Sequence, residues 1–321
     1  MAEMNLVTGG AGFIGSHLAE ALLAKGQKVR VLDDFSTGLR SNLAHLRPAP
    51  EIVEGSLTDP TAVARAVEGV SVVYHLGALA SVARSVEAPL ISHAACATGT
   101  LNILDAARRT GARRVVYAAS SSAYGGASSE VGQTEDTPLT ALSPYAAAKL
   151  SGELYMQAFA ATYGLETVRL RFFNIFGPRQ RADSPYSGVI ALFVAAMSSG
   201  KAPTVHGDGL QSRDFTYVAN AVQALIKAAE APKAVSGQVY NVGTGSSITV
   251  LDLVEALNKL MGKNLVATHS DPRAGDVRFS KADISRTRRD LNYKPDIAFD
   301  EGLKRTLAWY CETNQVTVRG N

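Results

Sequence analysis

Short apolar runs alternate with longer amphipathic stretches through the first half of the chain. Asn5–Thr8 reads as a strand, Phe13–Lys25 as a helix and Lys28–Asp33 as a second strand. Ile52–Glu54, Ser71–Leu76 and Arg114–Ala119 are further strands, each bounded by glycine or turn residues. Leu90–Thr110 and Pro144–Tyr163 are predicted as the long helices. Strands that alternate with helices imply a parallel sheet covered on both faces, an α/β doubly wound fold. Beyond about Asn174 the pattern loosens, with Pro178, Pro185 and Pro203 among several glycines. A first domain over 1–175, with a returning segment near 215–245, and a smaller C-terminal lobe over 176–321 are therefore expected.

The 321 residues are 46% hydrophobic and 19% charged, the balance of a compact chain rather than a disordered one. Lys and Arg number 32 against 29 Asp and Glu, and no basic tract stands out. A nucleic-acid or anionic-membrane surface is accordingly not expected. Two cysteines, Cys96 and Cys311, cannot build a disulfide scaffold, and six scattered histidines predict no metal site. Among them His75 reads as a strand-end residue. The boldest apolar run, Gly188 to Met197, is too short to span a bilayer and suits a buried helix. Glu3 and a glycine loop interrupt the N-terminus before any signal-like apolar stretch, so a reduced cytoplasmic enzyme is the expectation.

Candidate chemistry begins with TGGAGFIGSHL, Thr8 to Leu18, directly after the first strand. Its glycines fit Gly10-x-Gly12-x-x-Gly15 and Gly9-x-x-Gly12-x-x-Gly15. Glycine permits the tight turn and a close backbone approach to a pyrophosphate, and the helix N-terminus adds N–H groups and positive dipole. Asp33 and Asp34 follow at the end of the second strand, where a carboxylate meets ribose hydroxyls. Two acids there would repel a 2′-phosphate, which favours NAD over NADP.

Tyr145 and Lys149 stand four apart at the start of a predicted helix, on one face. An ammonium beside a phenol favours the phenolate, lowering the Tyr pKa towards that of a general base. Ser120, Ser121 and Ser122 close the fifth strand, beside the crevice where doubly wound sheets bind ligands.

With these elements together the chain resembles the extended short-chain dehydrogenase/reductases, in particular the UDP-sugar 4-epimerases, over nearly its whole length. The resemblance implies a Rossmann-like NAD-binding domain and a UDP-sugar-binding lobe. It implies a catalytic set of Ser120, Tyr145 and Lys149, with Ser120 chosen because it lies four before Tyr124; Ser121 and Ser122 stay open as alternatives. Dehydratase relatives carry an Asp-Glu pair where this chain has Ser121 and Ser122, so dehydration is not expected. For NAD the expected contacts are Gly9, Gly12, Phe13, Ile14 and Gly15 in the loop, with Asp33, Asp34, Ser36 and Gly38 after the second strand. Ser56, Leu57, Leu76 and Ala78 join them, as do Tyr145 and Lys149.

RFFNIFGPRQR (Arg171 to Arg181), GDGLQSRDF (Gly207 to Phe215) and PRAGDVRFS (Pro272 to Ser280) resemble three substrate motifs of that family. By that likeness Asn174, Arg213 and Arg273 hold the diphosphate and Asp276 the nucleotide ribose, while Ser121, Ser122 and Val189 complete the substrate set. Guanidinium forks match phosphate oxygens with charge-assisted bonds. Relatives restricted to plain hexoses carry a bulky Tyr where Ser280 stands, so the small side chain implies room for a 2-acetamido group. The expected reaction is NAD-dependent interconversion of UDP-N-acetylglucosamine and UDP-N-acetylgalactosamine, of UDP-glucose and UDP-galactose, or of both, through a 4-keto sugar. A UDP-glucuronate epimerase or decarboxylase using Arg181 or Arg278, and a non-catalytic NAD-binding scaffold, are the rivals. Two departures stand out: Ser56 where the family has Asp for adenine, and Cys96 where it has Asn. A homodimer built on two long helices from each subunit is the family expectation.

Overall fold

The computed structural model describes residues 3–126, 131–183, 187–272 and 277–313. Seven parallel strands form the central sheet: β1 (Met4–Thr8), β2 (Lys28–Asp33), β3 (Glu51–Glu54), β4 (Val72–His75), β5 (Arg114–Ser120), β6 (Glu166–Phe172) and β7 (Gln238–Val242). Their spatial order is β7-β6-β5-β4-β1-β2-β3. The order reverses between β1 and β4, and the crevice at such a switch point is where open α/β sheets take their ligands. This is the Rossmann-like doubly wound architecture the sequence implies.

The central strands β1, β4 and β5 are buried on both faces, which is why they read as nearly continuous apolar runs. Alternate residues serve opposite layers. Val116 and Ala118 of β5 pack with Leu18 of helix α1 (Phe13–Ala24), while Val115 and Tyr117 pack on the other face. That second face is covered by α2 (Pro60–Val67), α3 (Gly99–Thr110) and α4 (Pro144–Tyr163). A later helix, α5 (Val218–Glu230), returns to lie beside α1, and Arg114 at the start of β5 donates to the carbonyls of Ala228 and Ala231 at its end.

The local chemistry of α4 sets its bounds. Ser143 accepts from the Ala146 N–H, Pro144 occupies the first turn, and Gly164 ends the helix at φ 68°. The helix expected over Leu90–Thr110 is interrupted. Pro89–His93 and α3 are joined by a π turn at Ala94–Thr98, where the Thr100 hydroxyl donates to the Cys96 carbonyl at 2.6 Å.

After β6 a third core gathers around Phe176, Phe193, Leu253 and Leu303. The run foreseen as a buried helix is one, Val189–Ser198. Two short parallel strands, Ser212–Arg213 and Phe279–Ser280, set Arg213 opposite Ser280. Beside them the buried Asp214 carboxylate accepts the N–H groups of Thr244, Gly245 and Ala282, tying this region to the end of the sheet. Among the described residues no helix is long and apolar enough to cross a membrane.

Candidate active site

A cavity of about 1720 Å³ opens at the switch point, over the carboxyl ends of β1, β2, β4 and β5. Pockets for single small ligands run to roughly 300–1,000 Å³, so this one is large enough for two. Its first half is the glycine loop. Gly9 adopts φ 65°, and a β-carbon on Gly15 would stand 2.2 Å from the Gly9 carbonyl oxygen, so neither position takes a side chain. Gly12, Phe13 and Ile14 line the cavity, and no side chain caps this first turn of α1. That bare, dipole-positive turn is an anion cradle.

Asp33 ends β2 and fixes the loop from the side, accepting from the Ala11 N–H at 2.9 Å and the Phe35 N–H at 2.9 Å. Burial pushes its carboxyl above the usual carboxylate range and those two N–H groups pull it back. Asp34 is exposed and accepts from both the N–H and the hydroxyl of Ser36. Asp33, Asp34, Ser36, Ser56, Leu57, Leu76 and Ala78 all line the cavity. Gly38 lies one layer behind them, where a β-carbon would meet Ala11 and Asp33 at 2.9 Å. Ser56 turns its hydroxyl to Thr58 at 2.9 Å. The uncapped turn, the side-chain-free approach and the acidic strand end fit a dinucleotide without a 2′-phosphate.

The serine strand and the Tyr–Lys helix meet in the middle of the cavity. Ser120 accepts from the Ser122 N–H at 3.2 Å and the Ser122 hydroxyl at 2.8 Å, and its own hydroxyl contacts the Tyr145 phenol. Of the three serines, Ser120 is the one whose side chain favours the ionised Tyr145 phenol. The Tyr145 N–H in turn is held by the Ser85 hydroxyl at 3.0 Å. Burial pushes the phenol well up, Cys96 adds to the rise, and the Ser120 bond opposes it. The expected direct pairing of Tyr145 with Lys149 is not what the structure shows. The Lys149 ammonium donates to the Ala118 carbonyl at 2.8 Å and lies over the Tyr117 ring at 4.8 Å, pointing into the sheet. Spacing along a helix fixes which face two residues share, and the long lysine stem then follows the nearest acceptor.

Asn174, Val189, Arg213, Ser121, Ser122 and Ser280 border the second half of the cavity. Asn174 sits at φ 38° with its amide near the Asp214 carbonyl at 3.5 Å. Ser280 is buried, and its strand pairing holds it against Arg213. Arg273 and Asp276 lie outside the described residues. Arg181 borders the cavity but is paired through two bonds to Asp183, and Arg278 faces away, paired likewise to Asp208.

Several lining residues were not foreseen. Arg179, at φ 66°, reaches from the RFFNIFGPRQR segment back to Glu20 and His45. Gln180 lies next to it, its carbonyl taken by the Tyr310 hydroxyl. Both were within a recognised motif, so the signal was present. Gln133, buried and bridged to Ala282, had none.

Comparison with known proteins agrees with this geometry. Residues 5–243 match the NAD dependent epimerase/dehydratase family. A UDP-glucose 4-epimerase of Mycolicibacterium smegmatis is 35% identical over 97% of this chain and 99% of its own. A UDP-glucuronate 4-epimerase of Thermodesulfobacterium geofontis is 33% identical over 95% of each. Among solved structures, a UDP-N-acetylglucosamine 4-epimerase from Methanobrevibacter ruminantium, in complex with UDP-N-acetylmuramic acid, superposes with a TM-score of 0.91. It is 36% identical over 98% of this chain and all of that one.

Proposed function

The chain belongs to the NAD dependent epimerase/dehydratase family, and we propose that within it this enzyme inverts carbon 4 of UDP-hexoses, accepting UDP-N-acetylglucosamine and its galacto epimer. The observation that carries the reading is the Tyr145–Ser120 contact, set where the dinucleotide half of the cavity meets the half bordered by Asn174, Arg213 and Ser280. NAD bound in the first half supplies the hydride acceptor and donor that the reaction needs.

The chain's own residues supply the rest. Tyr145 removes the proton from the sugar 4-hydroxyl and later returns it, while Ser120 hydrogen-bonds the same oxygen. Burial holds the phenol protonated, and the reading assigns its activation to the positive charge of a protonated Lys149. Arg213 and Asn174, with Arg273 and Asp276, hold the UDP portion, so a 4-keto sugar can turn on its diphosphate tether without leaving. Ser121 and Ser122 offer no carboxyl group to expel water, which argues against dehydration. Ser280 leaves space beside the sugar for an acetamido group. Arg181 and Arg278 already neutralise Asp183 and Asp208, which weighs against a uronic-acid substrate.

A homodimer is part of the proposal. Leu90 and Ile91 on the Pro89–His93 helix and Leu154 on α4 are exposed apolar side chains on the two helices the family would pair. The reduced cytoplasm, where an exposed thiol such as Cys311 persists, is the proposed location.

The test is proton NMR of the purified protein with UDP-N-acetylglucosamine and with UDP-galactose, adding no cofactor. The galacto anomeric signal from the first substrate supports the reading. Turnover of UDP-galactose alone overturns the acetamido assignment, and silence with both after adding NAD⁺ overturns the reaction. Positioned general bases contribute roughly 10²–10⁴-fold, so Tyr145→Phe should lose at least about 10²-fold in turnover.

A further inference from the structure

We propose that Tyr117 is a positioning residue for Lys149: its ring face and the neighbouring Ala118 carbonyl hold the ammonium at the floor of the site. The inference rests on the role given to Lys149 above. Both holding groups come from consecutive residues of β5, the carbonyl at 2.8 Å from Nζ and the ring centroid at 4.8 Å. Lys149 and Tyr117 are almost wholly buried, so water contributes little to either.

The ring is fixed on every side. His75, its neighbour across the strand pair, stacks on it at 5.5 Å with 28° between the planes. Beneath α4 the Tyr117 hydroxyl donates to the Lys149 carbonyl at 3.3 Å, and Gly152 makes room for it. His75 is itself locked. The Thr100 hydroxyl proton goes to the Cys96 carbonyl, so the His75 Nε2–H must donate to the Thr100 oxygen at 2.9 Å. The other ring nitrogen, Nδ1, is left as an acceptor for the Thr8 hydroxyl at 2.8 Å, whose oxygen receives the Gly77 N–H. Every proton in the chain has one direction, and the imidazole is neutral.

A buried ammonium is disfavoured by lost hydration, and an aromatic face within about 6 Å offsets that loss. The charged and titratable groups around Lys149 are Tyr117 from β5, His75 from β4, Cys96 from the π turn, and Tyr145 and Glu153 from its own helix. Glu153 is committed to Arg171 at 2.8 Å, and His75 carries no charge. Cys96 and Glu153 favour the cation through space, and the ring and the Ala118 carbonyl are the groups that touch it.

The experiment compares pH–rate profiles of the NAD-loaded protein, Tyr117→Phe and Tyr117→Leu. It adds NMR titration of ¹³C-labelled lysines in each, with the Lys149 signal identified by its absence from Lys149→Met. Loss of a desolvated cation–π contact should shift the protonation equilibrium roughly tenfold, about one pH unit. In Tyr117→Leu both the alkaline limb and the Lys149 titration should move down by that amount; in Tyr117→Phe both midpoints should stay. A uniform loss of rate with unmoved midpoints overturns the proposal, as does a Phe variant that shifts as far as Leu. If the Leu variant does not fold, pentafluorophenylalanine at position 117 keeps the ring and reverses the charge of its face. A downward shift is again expected there, and none overturns the proposal. Undiminished turnover in Lys149→Met would instead remove the role of Lys149 on which the inference rests.

Discussion

Gly152 lets α4 settle onto β5 directly over Tyr117: a β-carbon there would stand 2.4 Å from the Tyr117 hydroxyl oxygen and 2.8 Å from its ring carbon. The approach brings Lys149, three residues earlier on the helix, within reach of the ring. Exchanging a helical Gly for Ala normally gains about 0.5–1 kcal/mol in helix propensity. Overpacking a closed core costs about 1–3 kcal/mol, and Tyr117 has no room to yield. Gly152→Ala should therefore lower stability by about 0.5–2 kcal/mol and reduce turnover. Denaturant midpoints alongside initial rates check this, and a more stable variant would mean the helix can lift without consequence.

Gly15→Ala should strike the cofactor rather than the fold as a whole. The atoms it would meet are backbone, the Gly9 carbonyl oxygen at 2.2 Å and Gly10 Cα at 2.8 Å, so relief requires moving the loop. A distortion of about 1–3 kcal/mol corresponds to a loss of roughly five- to 150-fold in NAD affinity. Calorimetric titration of the stripped protein with NAD measures it. Unchanged affinity would place the dinucleotide elsewhere.

Acid should weaken the fold through the buried His75 and the half-buried His17. His75 is held down to about 3 and His17, whose Nε2–H donates to the Pro178 carbonyl, to about 4, both chiefly by burial, against an ordinary 6.5. Below pH 6.5 the unfolded chain takes up protons that the folded one refuses. The contribution of each neutral ring is complete above 6.5 and is lost as pH falls through the folded value. For His75 alone the slope is about 1.4 kcal/mol per pH unit. Urea denaturation at pH 6.5, 5 and 4 should show it, with a shallower slope in His75→Asn. An equal slope in that variant would assign the acid sensitivity to other groups.

Ser280→Tyr should separate the two substrate classes. Ser280 is buried against Arg213 on a short strand pair, so a bulkier side chain must project into the cavity. Pocket changes of this size discriminate by roughly 10–200-fold. The variant should lose UDP-N-acetylglucosamine turnover by that factor and keep UDP-glucose within a few-fold. Parallel losses on both substrates would show that position 280 does not face the sugar's second carbon.

Much of the sheet was legible because its central strands are buried on both faces: β2 and α4 have the bounds the pattern predicts, β1, β3, β4 and β5 differ by one residue at their ends, and β6 and β7 were not predicted as strands. The glycine loop was legible because its glycines answer to backbone sterics within the loop itself. The break at Ala94–Thr98 was not, since AACATG holds no proline and nothing in the local pattern demands a π turn. Nor was the direction of the Lys149 stem, which depends on Ala118 and Tyr117, some thirty residues earlier. Helical spacing set Tyr145 and Lys149 on one face; a strand on another layer decided which of them reaches Ser120.

The π turn also acts as a rotational phase-setter. Each residue advances an α-helix by about 100°, so one residue more or fewer between His93 and Gly99 rotates the Pro89–His93 helix by that angle relative to α3. Leu90 and Ile91, now facing outward, would swing off their present azimuth while Ile103 and Leu104 stayed seated against the sheet. A one-residue deletion here would leave the composition of both helices almost intact and still re-aim the apolar side chains of Pro89–His93. Insertions and deletions in this stretch are thus equivalent to turning a surface, not to trimming a loop.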